Sequence, residues 1–108
     1  MSQKITPTEM TFFERFETDI LSGKKTITIR DESESNYVPG SQVKVSTFED
    51  GREFCTLQID KVEPILFSEL SDFHAKQENM TLDVLKSVIQ DIYPGIEKLY
   101  VVTYTLVD

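Results

Sequence analysis

The amino-acid sequence predicts an α+β fold with a strongly curved sheet or small barrel. Three observations carry this. At least four short β-rich segments are separated by turn signals, two stretches repeat apolar residues at helical spacing, and 108 residues with 39% hydrophobic content suffice for one core but not two. Residues 1–108 therefore read as a single domain, with 1–10 a flexible or extended N-terminus.

The first helix is expected at about 12–22. Thr11 and Glu14 have the spacing of a capping box, Phe12, Phe13, Phe16 and Ile20 recur at helical spacing, and Gly23 suits the left-handed position after a helix end. Thr26-Ile27-Thr28-Ile29-Arg30 then alternates as a half-buried strand, 26–31, followed by an acidic loop, Asp31 to Asn36, too charged to bury. Pro39-Gly40 makes a turn before a strand at 42–48 with Val43 and Val45 on one face. Asp50-Gly51 is a hairpin signal, and a strand at 53–62 sets Cys55, Leu57 and Ile59 on one side until Pro64 breaks it. Phe67, Leu70 and Phe73 indicate a helical turn or two. Leu82, Leu85, Val88, Ile89 and Ile92 form the stripe of the second main helix, Thr81 to Tyr93, which Pro94-Gly95 stops. The β-branched and aromatic segment 99–107 is expected to be a central strand.

Charge and composition narrow the function classes. A net charge of −8 argues against broad phosphate-backbone binding, although a small basic pocket on an acidic body remains compatible with it. No apolar run approaches the roughly 20 residues of a membrane span, the N-terminus lacks a signal-peptide pattern, and a lone cysteine suits a reducing compartment; the expected address is cytoplasmic, with no membrane partner. One histidine and one cysteine leave no ordinary zinc ligand set, so no metal is expected. His74 reads as a capping or partly buried imidazole and Cys55 as a small buried thiol. The four glycines are far apart, which excludes a glycine-rich phosphate loop.

The stretch at 23–30 is the chemical candidate. Strand parity puts Thr28 and Arg30 on the face opposite Ile27 and Ile29, which need the core, so the polar face is free to line a cleft. Lys25 lies just beyond Gly23, where strand geometry need not hold, and parity does not place it. By its residues alone, this reads first as a structural strand with a cationic entry and only second as a site.

Gly23-Lys24-Lys25-Thr26-Ile27-Thr28-Ile29-Arg30 resembles the G-x-K-x-x-E-x-R signature of ASCH domains, small PUA-like β-barrels, with Thr28 standing where most of them carry glutamate. That departure, followed by IRDESES, FEDG at 48–51, FCT at 54–56, HAKQENMTL at 74–82 and DIYPG at 91–95, is similar to the small bacterial N(4)-acetylcytidine amidohydrolases, from about Thr11 to the last strand. The resemblance implies a PUA-like barrel with two main helices and a hydrolase that converts N(4)-acetylcytidine to cytidine and acetate without metal or cofactor. It implies Lys25 as proton acceptor, Thr28 as nucleophile, Glu78 as proton donor and Arg30 as a substrate-binding residue. The implied partner is a small nucleoside, with RNA not favoured and a monomer expected.

Physical chemistry sets conditions on those roles. A threonine hydroxyl needs an adjacent base, and lysine is a base only when neutral. Burial, Lys24 and Arg30 would lower the Lys25 pKa, whereas Asp31, Glu32 and Glu34 would raise it, and the sequence leaves the balance open. Glu78 precedes the helix starting near Thr81, whose dipole favours a charged carboxylate, so burial must dominate if Glu78 is to donate a proton. The leading rival is a non-catalytic PUA-like module that binds modified RNA or nucleotides; a weaker one is a protein-contact domain using loop 31–36.

Overall fold

In the computed structural model, residues 8–107 are described, and they form five strands: β1 (Glu9–Phe12), β2 (Ile27–Arg30), β3 (Gln42–Thr47), β4 (Glu53–Leu66) and β5 (Lys98–Leu106). They form one sheet in the order β1-β3-β4-β5-β2, antiparallel except for the parallel pair β1–β3. The fold is α+β, and β5 is interior, as its composition predicts. The expected flexible or extended segment 1–10 falls outside the described residues over 1–7, and Glu9 and Met10 belong to β1.

Each face of β5 supports a separate core. Val102 and Tyr104 join Met10, Phe12, Ile20, Val43, Val45, Cys55, Leu57 and Ile59. Leu99 and Val101, on the other face, join Ile27 and Ile29 under the helices α2 (Asp72–Gln77) and α3 (Leu82–Ile92), which contribute Ala75, Leu85 and Ile89. Sheets covered on both faces read as continuous apolar strands, and in β2 all four residues are buried.

Two expectations are corrected. The helix at 12–22 is shorter: Thr11 and Phe12 lie in β1, a 3-10 turn covers Glu14–Phe16, and the helix α1 is Glu17–Leu21. There is no capping box, because the Glu14 amide donates to Glu49 Oε1 at 2.9 Å. Pairing with β3 buries Met10 and Phe12 at strand spacing and so overrides the local helical pattern. Pro64 does not end β4. Pairing with β3 stops at Gln58, so past the bulge near Ile59–Lys61 the strand has β5 on one side and no described strand on the other, an edge that tolerates a residue without N–H. The expected helical turns do form, over Phe67–Glu69 and Asp72–Gln77; they bury Leu70 and leave Phe73 exposed.

Other elements follow their local signals. Thr81 caps α3, its Oγ1 accepting the Val84 amide at 3.3 Å, and Gly23, with φ of 78°, takes the left-handed turn after α1. His74 accepts from the Ser71 amide through Nδ1 at 3.2 Å, a capping role at the start of α2. Cys55 is buried, and burial pushes its thiol up to about 11.

Candidate active site

Because β1 and β2 are the two edges of the sheet, its curl brings them face to face. Arg30 spans the seam: its Nη2 donates to the carbonyl of Thr11 in β1 at 2.8 Å. The seam opens into a cavity of ≈ 230 Å³, just below the ≈ 300–1,000 Å³ of ordinary ligand pockets and so sized for one small molecule. Its walls are largely apolar, with Phe12, Phe13, Phe16, Met80 and Ile89 among them, and its polar groups are few: Lys25, Thr28, Arg30, Glu34 and Glu78 line it together.

Local folding explains how these side chains converge. Lys25 lies before β2, on chain bent by Gly23. The Asp19 carbonyl accepts the amides of Lys24 and Lys25, both at 3.0 Å, and the Lys25 carbonyl accepts the Tyr104 hydroxyl at 2.9 Å. With its backbone held on both sides, Lys25 joins Thr28 in the cavity despite its parity. Thr28 and Arg30 project from β2 on the face opposite Ile27 and Ile29, as alternation predicts. Glu78 closes α2, and the Thr26 amide donates to the carbonyl of neighbouring Gln77 at 2.8 Å, tying the entrance of β2 to the end of α2. Asn79, at a φ of 58°, then turns the chain into α3, and its Nδ2 donates to Asp19 Oδ1 at 3.1 Å.

All four predicted side chains are buried: Lys25 is 3% exposed, Thr28 5%, Glu78 5% and Arg30 8%. Lys25 and Glu78 form an ion pair, Lys25 Nζ also donates to the Ile27 carbonyl at 3.0 Å, and Glu78 Oε1 has no partner beyond Lys25 among the described residues. Burial holds the Lys25 pKa well below the ordinary lysine range, the Arg30 charge adds to the effect, and Asp19 opposes it. The balance that the sequence left open falls on the lowering side, with Asp19 and not the 31–34 acids as the opposing charge; Lys24 is exposed. Glu78 sits between the end of α2 and the start of α3, so the helix-start effect read from the sequence meets an opposing helix end. Thr28 Oγ1 accepts from Arg30 Nε at 2.9 Å. Between Lys25 and Thr28 there is no hydrogen bond among the described residues.

The sequence reading missed the aromatic wall and Tyr93. The rings of Phe12 and Phe16 lie 5.6 and 5.0 Å from Lys25 Nζ by centroid. The helical periodicity that grouped these two rings was a real signal, but for a shared cavity and not for a shared helix. Of the three loop acids only Glu34 reaches the site. No group of three His, Cys, Asp or Glu side chains among the described residues stands ready to hold a metal ion.

Comparison with known proteins places this geometry. Residues 5–91 match the ASCH domain family. A Vibrio atlanticus protein named N(4)-acetylcytidine amidohydrolase is 78% identical over 94% of this chain and 97% of its own length. Proteins of the same name from Shewanella sp. (strain MR-4) and Cronobacter sakazakii are 59% and 51% identical, each over 93% of this chain and 97% and 96% of theirs. In fold, the chain resembles the crystal structure of ASCH from Zymomonas mobilis (TM-score 0.70, 15% identity, 92% of this chain and 65% of that one). It likewise resembles an ASCH domain from Lactobacillus crispatus (TM-score 0.69, 16% identity, 83% and 69%). With a domain match across most of its length and relatives this similar over nearly all of it, the chain is an ASCH-domain protein that belongs to the N(4)-acetylcytidine amidohydrolase family.

Proposed function

We propose that the protein cleaves the acetyl amide of N(4)-acetylcytidine to give cytidine and acetate, with Thr28 as nucleophile, Lys25 as proton acceptor and Glu78 as proton donor. The observation that carries this reading is the buried Lys25–Glu78 pair beside the Thr28 hydroxyl. In a desolvated site, moving the shared proton from lysine to glutamate converts an ion pair into a neutral pair. The neutral pair is a free amine base next to a protonated acid, which are the two forms the reaction needs.

Proton accounting then closes. Thr28 Oγ attacks the acetyl carbonyl as its proton passes to Lys25. Collapse of the tetrahedral intermediate breaks the bond to N4, and Glu78 gives its proton to the departing amine. The pair is left as Lys25 ammonium and Glu78 carboxylate, with the acetyl group on Thr28. Water then attacks the acetyl ester while Glu78 takes one of its protons; Lys25 returns a proton to Thr28 Oγ, acetic acid leaves and ionises to acetate in solvent, and the starting neutral pair is restored. The largely apolar walls suit a planar, uncharged base, and Arg30 lines the same cavity as a substrate-binding group.

The direct test is acetate release from N(4)-acetylcytidine by wild type and Thr28→Ala. Wild type should release acetate, and folded Thr28→Ala should not, with a loss of at least 10³-fold, roughly the size expected when a nucleophile is removed. A wild-type protein that binds the nucleoside but releases no acetate is the result expected of the binding-module alternative. Wild-type turnover in Thr28→Ala would show that another group attacks.

A further inference from the structure

The loop after β2 is acidic, but its three carboxylates do different things. Asp31 serves its own turn, with Oδ1 accepting the Ser33 amide at 3.1 Å, and Glu32 is exposed. Glu34 lines the cavity. Its Oε2 accepts from Arg30 Nη1 at 2.8 Å and its Oε1 from the Tyr93 hydroxyl at 3.2 Å. Arg30 in turn donates through Nε to Thr28 Oγ1 at 2.9 Å and through Nη2 to the Thr11 carbonyl at 2.8 Å.

We propose that Glu34 is a positioning residue for amide cleavage, holding the Arg30 guanidinium in the orientation in which Nε donates to the Thr28 hydroxyl oxygen. This rests on Thr28 being the nucleophile. A guanidinium is planar, so three donors engaged in three directions fix both its place and its plane. Without Glu34, the buried Nη1 loses its acceptor and the long side chain is free to turn toward solvent or toward the substrate. With Arg30 held, its Nε occupies one lone pair of Oγ1, directs the hydroxyl hydrogen away from itself, and stabilises negative charge on that oxygen as attack begins. The proton still leaves to Lys25, so the proposal adds no bond-making step. Tyr93 sets the other carboxylate oxygen. Burial and the Glu34 charge push its phenol up to about 12, so it remains a donor at working pH.

Glu34 also moderates a field. Lys25 is faced by Arg30 from β2, Asp19 from α1 and Glu78 from the turn after α2, and Arg30 favours the neutral amine. Glu34→Gln keeps an acceptor for Nη1 but removes the charge that partly offsets Arg30. The Lys25 ammonium is then further disfavoured, and the acid limb of kcat/KM moves to lower pH.

The experiment compares acetate release from N(4)-acetylcytidine across pH for wild type, Glu34→Ala, Glu34→Gln, Tyr93→Phe and Thr28→Ala, with folding checked by thermal melts. Glu34→Ala should lower kcat roughly 10- to 100-fold, the scale of a misplaced catalytic group, and by more than any rise in KM from the freed Arg30. Glu34→Gln should recover most of kcat and shift the acid limb downward, and Tyr93→Phe should lower kcat less than Glu34→Ala. Wild-type kcat in folded Glu34→Ala, a loss carried wholly by KM, or a Gln variant as slow as Ala with an unmoved limb would each overturn the proposal. Turnover surviving in Thr28→Ala overturns the nucleophile reading and this proposal with it. Turnover lost in Thr28→Ala but intact in Glu34→Ala overturns the positioning role alone.

Discussion

Lys25 carries the sharpest conflict between stability and function. Its unfolded pKa is ≈ 10.4 and its folded value lies well below that, so across the interval the native state holds fewer protons than the unfolded one. This group therefore subtracts stability at neutral pH, and the deficit fades as pH rises from the folded value and is gone above ≈ 10.4. In the proposed mechanism the same lowering serves the role of base. The dependence of kcat/KM on pH should be bell-shaped, with an acid limb for proton loss from the Lys25–Glu78 pair and a basic limb for loss of the donor proton, both belonging to the pair jointly. Lys25→Arg keeps a cation that does not deprotonate, so it should be inactive; full activity there would exclude Lys25 as base. Replacing the pair together, Lys25→Met with Glu78→Leu, should abolish acetate release yet leave stability unchanged or raised by about 1–4 kcal/mol in urea melts. Each single replacement leaves one buried ionisable group alone and should be less stable than the double variant.

At the scale of elements, the site depends on how the α2–α3 turn is tied to the entrance of β2. Asn79 occupies left-handed backbone at φ 58°, which costs most residues roughly 1–2 kcal/mol and asparagine less. Its side chain also reaches Asp19, whose carbonyl holds the amides of Lys24 and Lys25. Asn79→Ala should destabilise the fold by about 1–2 kcal/mol and also lower kcat, because the Glu78 backbone is no longer fixed relative to Lys25. Asn79→Gly should recover stability, having no Cβ to strain, while kcat stays below wild type because the link to Asp19 is absent. Equal kcat in the glycine variant and wild type would show that the backbone turn alone sets the Glu78 position. Farther along, Leu85 packs with Ile27 and Ile29 of β2 and also lines the cavity that holds Thr28. Its truncation to alanine should cost about 2–5 kcal/mol in urea melts through the cavity it leaves.

Across the whole molecule, charge and cavity size set an expectation for the substrate of the proposed reaction. A body of net charge −8 repels polyphosphates, and the ≈ 230 Å³ seam admits a single small molecule. Arg30 and Lys25 do not offset this, since each is paired with a carboxylate. The free nucleoside should therefore have a higher kcat/KM than acetylcytidine inside an oligonucleotide, and its turnover should change little with ionic strength, because no counterions are released. Side-by-side kcat/KM values for nucleoside, monophosphate and acetylated oligonucleotide at two salt concentrations test this. A preference for the oligonucleotide that disappears at high salt would overturn it.

Strand 27–30, the Asp50-Gly51 hairpin, helix α3 with its Thr81 cap, and interior β5 were all legible in the sequence, because turn chemistry and side-chain period are local properties. So was the gathering of Thr28 and Arg30 on one face. Helix 12–22 and the stop at Pro64 were misread because long-range pairing decided both: β1 found β3, and the second half of β4 found an open edge that needs no N–H there. The candidate site divides in the same way. A resemblance in sequence pointed to Lys25, Thr28 and Glu78, but their meeting depends on the tie between Thr26 and Gln77 and on the curl that sets β1 against β2. The direction of the Lys25 shift, the aromatic wall and the contact of Glu34 with Arg30 are properties of burial and proximity. Residues distant in the chain acquire them only when the sheet closes around the seam.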